Sequence, residues 1–164
     1  HYTLFSSVVF GGCAGFYYWF PKMFGRMMSP LLGKIHFWLT LVFFNVTFLP
    51  MHNLGLMGMM RRIANPMQYE MLQPFQHLNV LATVGSVLLV AAQIPFVVNV
   101  VRSLVAGQPA SDNPWQANTL EWSTSSPPPH DNWGAREPLV HRGPYDYSVP
   151  GAPKDWLPQD PARG

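Results

Sequence analysis

Acidic side chains are almost missing from the first two thirds of this chain. Between residues 1 and 105 the only one is Glu70, against Lys22, Arg26, Lys34, Arg61, Arg62 and Arg102, a net charge of +5. Charge of either sign is missing altogether from Tyr2 to Pro21, from Ile35 to Met60 and from Met71 to Val101. Cysteine is nearly absent as well: Cys13 stands alone, which excludes an internal disulfide and a Cys-x-x-Cys site, and it reads as a structural thiol. No two of the six histidines are three or four residues apart, so no single helix can present a His-His metal pair. There is no Gly-rich phosphate loop and no nucleophile elbow. These absences argue against nucleotide-dependent and covalent-nucleophile enzymes, and nucleic acid is not an expected partner.

What is present divides the chain in two. Residues 106–164 carry four basic and seven acidic side chains and eleven of the 17 prolines, with no helical period. Each charge-free run before them reaches or exceeds the ~20 residues an α-helix needs to cross about 30 Å of hydrocarbon. The expected fold class is therefore all-α and integral to a lipid bilayer. Three transmembrane helices are expected, at about 1–20, 33–57 and 74–105, with an irregular, extended tail over 106–164. Buried helices of a soluble protein are the alternative, opposed by the lack of any amphipathic helix to cover them. The first run lacks a basic leader region and a small-residue cleavage site, so it reads as a span rather than a signal peptide. Lys22, Arg26 and Lys34 lie between the first two runs. By the positive-inside rule that connection and the tail are cytoplasmic and Arg61–Arg62 face outward. Gly11, Gly12, Ala14 and Gly15 give the first helix a small face suited to close packing, and Pro50 and Pro95 are expected to kink their helices. So many interruptions imply further helices around these three, and a chain opening on His1 rather than Met reads as a piece of a larger membrane protein. A free tail of this composition would be largely disordered; Trp115, Trp122 and Trp133 are its candidate anchors on the bundle or on a partner.

Arg61 and Arg62 are the least expected residues. A membrane-embedded arginine costs roughly 2.5–3.5 kcal/mol at a helix centre, so the pair either sits at the interface or meets a buried anion. They also lie on the side of the membrane that topogenic charge avoids. His1, His36, His52 and His77 lie in or beside the spans, where hydrogen-bonded structural roles are the default, and His130 and His141 lie in the tail.

A resemblance gives these residues a common purpose. His1-Tyr2-Thr3-Leu4, Trp19-Phe20-Pro21, Gly33-Lys34-Ile35-His36-Phe37-Trp38, Asn45-Val46-Thr47-Phe48-Leu49-Pro50 and the stretch from His52 to Arg62 resemble the last three of twelve helices in haem–copper oxidase subunit I, of bacterial type. Asn113-Pro114-Trp115, Thr119-Leu120-Glu121-Trp122 and Ser126-Pro127-Pro128-Pro129 resemble the same family's C-terminal signature, and the likeness runs over about residues 1–146. It implies that His1 ligates the iron of a low-spin haem, haem A, and that Arg61 and Arg62 bind the haem propionates. It also implies electron transfer from cytochrome c through that haem to a haem–copper centre that reduces O2 to water with proton pumping. The high-spin haem and copper ligands would lie upstream, so this piece alone is not expected to be active. Expected partners are the upstream part of subunit I, oxidase subunits II and III and cytochrome c, in a bacterial plasma membrane. A quinol oxidase is the nearest alternative; a non-enzymatic three-helix scaffold is the alternative of another class. Met60 departs from the proline usual before the arginine pair, as do Asn53 and Ile63-Ala64-Asn65-Pro66 from the common pattern.

Overall fold

The computed structural model describes residues 1–134 and 137–160. Its regular structure is helical: α1 (Leu4–Phe24), α2 (Pro30–Leu56), α3 (Gln76–Ala91) and α4 (Ile94–Ala106), with short 3₁₀ turns at Pro66–Gln68, Glu70–Phe75 and Leu120–Ser123. Among the described residues, two stretches are long and apolar enough to cross a membrane, Pro30–Leu56 and Glu70–Ala106. The first expected span, here α1, is not one of them: its 21 residues include serines, glycines and Lys22. The third expected helix is divided between α3 and α4. Pro95 has no N–H to offer Ala91, and the backbone steps through Ala92 and Gln93 before the ladder resumes with Val97 N–H donating to the Gln93 carbonyl.

The chain forms two compact units, residues 1–11 with 29–101, and residues 12–28 with 102–164. In the first, α2 is a 27-residue helix, about 40 Å at 1.5 Å per residue. Pro30 at its first position suits the fixed proline φ to the helix start. The side chain of fully buried Asn99 clamps the residue before it, accepting from Ser29 N–H at 2.9 Å and donating to the Ser29 carbonyl at 3.0 Å. Pro50 stays within α2, and close packing occurs just before it. A Cβ added at Gly85 of α3 would lie 2.9 Å from the Thr47 nitrogen and hydroxyl oxygen, so the two backbones meet where only glycine fits. Of the expected packing face of Gly11, Gly12, Ala14 and Gly15, Gly11 and Gly12 have nothing within 4 Å of an added Cβ, and a Cβ at Gly15 would meet the Trp19 ring of the same helix at 3.1 Å. Buried polar groups between α2 and the α3–α4 step satisfy one another: His36 Nε2 lies 3.0 Å from Gln93 Oε1, and Gln93 Nε2 donates to Thr40 Oγ1 at 3.2 Å. His36 is thus a hydrogen-bonded interior residue. The outer surface is the reverse of a water-soluble one, with Leu31, Trp38, Val42, Val87, Val90, Ile94 and Val97 all exposed.

In the second unit the tail, polar and without period, is held by the end of α1. Lys22 is buried and its ammonium donates to the carbonyls of Asp112, Thr124 and Ser125 at 3.0, 2.7 and 3.3 Å, with the Trp122 ring 5.1 Å away. Trp115 and Trp122 donate to the Tyr18 carbonyl and hydroxyl at 2.8 and 2.9 Å, as anchors should, whereas Trp133 reaches only Ser123 within the tail. Gly25 needs its freedom: φ is +64°, and an added Cβ would meet Pro127 at 2.8 Å. Buried Asn118 ties the tail to itself, donating to the Asp146 carbonyl and accepting from Leu157 N–H. Over its described residues the tail is therefore a packed, irregular segment, held by these hydrogen bonds although buried Thr119 Oγ1 is left without a partner.

Candidate functional site

The cavity that matters lies wholly in the first unit, where the end of α2 and the loop after it face the residues that lead into α1. α2 ends at Leu56, and Gly58 takes φ +93° to turn the chain. Met59 N–H then donates to the Leu54 carbonyl at 3.0 Å, closing the helix end. This turn carries Arg61 and Arg62 back beside the helix. Arg62 sits at φ +61°, a left-handed conformation that long side chains rarely adopt and that costs of order 1–3 kcal/mol when held by its surroundings.

The result is an open cavity of about 800 Å³ whose lining includes His1, Phe48, His52, Arg61, Arg62 and Asn79. Residues 60 positions apart in the chain are thereby brought together. No acidic side chain of the described residues lines it, so two guanidinium groups and two imidazoles share a space with no anion of the chain's own. Apart from Tyr2 and Thr3, the remaining wall is apolar or thioether, with Met51, Leu54, Met59 and Met60. Such a site suits an apolar ligand that carries carboxylates at one end and accepts a nitrogen ligand.

Residues 1–88, more than half of the chain, match the family of cytochrome c and quinol oxidase polypeptide I. The chain belongs to this family. It is 52% identical over 149 residues to a Synechocystis protein named cytochrome c oxidase subunit 1, and 50% identical over 149 residues to one of the same name from Thermostichus vulcanus. It is 47% identical over 146 residues to a Bradyrhizobium diazoefficiens protein named alternative cytochrome c oxidase subunit 1. These alignments cover 91%, 91% and 88% of the chain but only 26%, 26% and 25% of the relatives. The chain spans about a quarter of the length of the curated relatives it matches.

Within this oxidase-family chain, all three residues singled out from the sequence, His1, Arg61 and Arg62, line the same cavity. Two others were missed. Phe48 lies four residues after Phe44, a spacing that places both on one helix face, and its ring stacks on the His1 imidazole. Asn79 in α3 lines the cavity too, and its amide donates to Gln76 Oε1 at 3.2 Å. An uncharged amide inside an apolar helix was the signal available for it. His36 and His77 lie elsewhere: His36 on Gln93, and His77 Nδ1 3.1 Å from the Pro74 carbonyl.

Proposed function

We propose that this chain forms the carboxy-terminal quarter of the catalytic subunit of a respiratory terminal oxidase, and that its outer cavity receives part of a low-spin haem. The observation that carries the reading is the convergence of His1, Arg61 and Arg62 on one cavity in a chain of this family. The residues present fit the group. A volume of about 800 Å³ falls within the roughly 300–1,000 Å³ of ligand sites, and the lining joins an imidazole, two cations and an apolar wall. Haem bound there, haem A on this reading, supplies a reversible one-electron iron couple.

The chain's own residues do the rest. His1 would offer an imidazole nitrogen to the haem iron. Arg61 and Arg62 would hold the propionates with planar, two-pronged donors, which would neutralise both partners and let the cations lie at the outer membrane face. Phe48, Met51, Leu54 and Met59 supply apolar surface for the macrocycle's apolar body. Upstream parts of subunit I would supply the high-spin haem and copper, where electrons from cytochrome c reduce O2 to water with proton pumping. Subunits II and III are the expected neighbours. The names of the relatives favour cytochrome c as donor, while the family description also covers quinol oxidases, the second reading.

On the same reading α1 is a third span, and residues 106–164 lie on the cytoplasmic side of a bacterial plasma membrane. Lys22 and Arg26 before α2, with Lys34 near its start, support that orientation.

The test is redox titration of the assembled oxidase carrying Arg61→Gln or Arg62→Gln. Removing a positive charge beside the propionates favours the oxidised iron, so the low-spin haem midpoint falls by tens of millivolts, where about 59 mV is a tenfold one-electron shift. Lysine at either position is milder for potential but still impairs binding, because a point charge cannot copy the planar fork. Unchanged potentials in both glutamine variants, with normal haem content, leave the pair as interfacial arginines and remove the reading.

A further inference from the structure

The geometry points to Phe48 as a positioning residue for the His1 imidazole: its ring sets the plane in which that imidazole meets the iron, on the reading that His1 is a haem ligand. The two rings stack, with centroids 5.2 Å apart and planes within 14° of parallel. Both line the outer cavity, so the stack stands at the site rather than behind it.

Phe48 is not free to follow the histidine. Its ring is packed by Phe5 at 5.3 Å and by Phe44 at 5.0 Å, both tilted by about 50°. Phe5 and Phe44 in turn stack on each other at 5.8 Å and 16°, and Phe44 is buried. Three phenylalanines thus make a rigid block, each ring contact stabilising it beyond area burial alone. The His1 ring is the outermost member of that block.

A second constraint acts on the main chain next to His1. The Tyr2 hydroxyl donates to Asn45 Oδ1 at 2.8 Å, and Asn45 Nδ2 is itself fixed on the Leu41 carbonyl at 2.8 Å. The Tyr2 ring also meets Phe44 edge-on at 5.0 Å. Asn45 and Phe48 are three residues apart and so share a face of α2. One helix face therefore fixes both where His1 starts from, through Tyr2, and which way its ring lies, through Phe48.

The chemistry follows from where an imidazole keeps its ligand electrons. The nitrogen lone pairs lie in the ring plane, so a partner stacked on the flat face leaves them available while restricting rotation about the Cβ–Cγ bond. Phe48 has no hydrogen-bond acceptor and does not raise the basicity of the ring, as a carboxylate partner would. What it controls is orientation. The orientation of an axial imidazole decides how its π system overlaps the iron d orbitals, which is read in the spectrum of the ferric low-spin state. A phenylalanine that served packing alone would alter stability without moving that signal.

The test uses the full-length subunit in the assembled oxidase. Phe48→Leu keeps an apolar side chain and removes the flat partner; Phe48→Tyr keeps the plane; His1→Leu is the control for the ligand reading itself. Electron paramagnetic resonance of the ferric low-spin haem is read at matched haem content, with redox titration alongside. Phe48→Leu is expected to shift and broaden the low-spin g-maximum, while Phe48→Tyr retains the wild-type position. If Phe48→Leu lowers haem content, Phe48→Met, of similar bulk but flexible, is read in its place by the same criteria. An unchanged g-maximum, linewidth and potential in the flat-partner deletion overturns the positioning role, provided His1→Leu abolishes the signal. Survival of the low-spin signal in His1→Leu overturns the ligand reading instead, and the positioning role with it.

Discussion

The same substitution, glycine to alanine, is expected to act with opposite sign at two places in this chain. At Gly85 a Cβ would lie 2.9 Å from the Thr47 nitrogen and hydroxyl oxygen and 3.0 Å from the Val46 carbonyl carbon. Two of those three atoms are backbone, so no side-chain rotation relieves the clash, and Thr47 Oγ1 is already committed to the Phe43 carbonyl at 2.7 Å. The helices must separate, at about 1–3 kcal/mol for overpacking of this kind. Alanine returns about 1 kcal/mol of helix propensity, which leaves Gly85→Ala near neutral to about 2 kcal/mol destabilised. Gly85→Val adds two methyls to the clash and no such gain, and falls at or beyond the upper end. Gly11→Ala and Gly12→Ala meet nothing within 4 Å and keep the propensity gain of about 1 kcal/mol each. The assay is unfolding of the 164-residue chain in detergent micelles by SDS titration, followed by helical circular dichroism. The order expected is Gly11→Ala above wild type, then Gly85→Ala, then Gly85→Val. A Gly85→Val chain as stable as wild type, or a Gly11→Ala chain less stable than Gly85→Ala, refutes the packing argument.

Two further outcomes concern the tail and the topology. Lys22→Met leaves three carbonyls without their ammonium donor; at about 2 kcal/mol net, opening of residues 112–133 becomes roughly 30-fold more frequent, read as faster limited proteolysis there. Cleavage at the wild-type rate would show that Lys22 does not hold the tail. In a Cys13→Ser background, Gln68→Cys should react with an impermeant thiol reagent from outside the cell, while Ser111→Cys should react only after permeabilisation. The reverse pattern rejects the proposed orientation.

Helix α2 and the long apolar stretch after Glu70 were legible because lipid-grade runs are a local property, visible as the absence of charge. The break between α3 and α4 was only half legible. Pro95 signals a weak point, but the step through Ala92 and Gln93 is completed by Gln93 meeting His36 and Thr40, residues more than fifty positions earlier. The glycine face was misplaced for a related reason: composition shows where a backbone can be approached, not what approaches it. Gly85 and Thr47 meet on different helices, while Gly11 and Gly12 face open space. The tail gave no periodic signal because its order comes from Lys22, Tyr18 and Asn118 satisfying scattered carbonyls and indoles. At the site, Arg61 and Arg62 stood out by their cost in a membrane, whereas His1 was singled out only through the family resemblance. Phe48 and Asn79 did not, since a phenylalanine in an apolar helix looks like any other until its neighbour is known.

The central claim, that this chain contributes a haem ligand at the outer cavity, is tested most directly at His1. In the full-length subunit, His1→Leu removes both ring nitrogens of that side chain while keeping an apolar side chain of similar bulk. The account predicts loss of the low-spin haem signal in the ferric spectrum and, with it, loss of electron entry from reduced cytochrome c. An assembled His1→Leu oxidase that keeps the wild-type low-spin spectrum and turnover would contradict it.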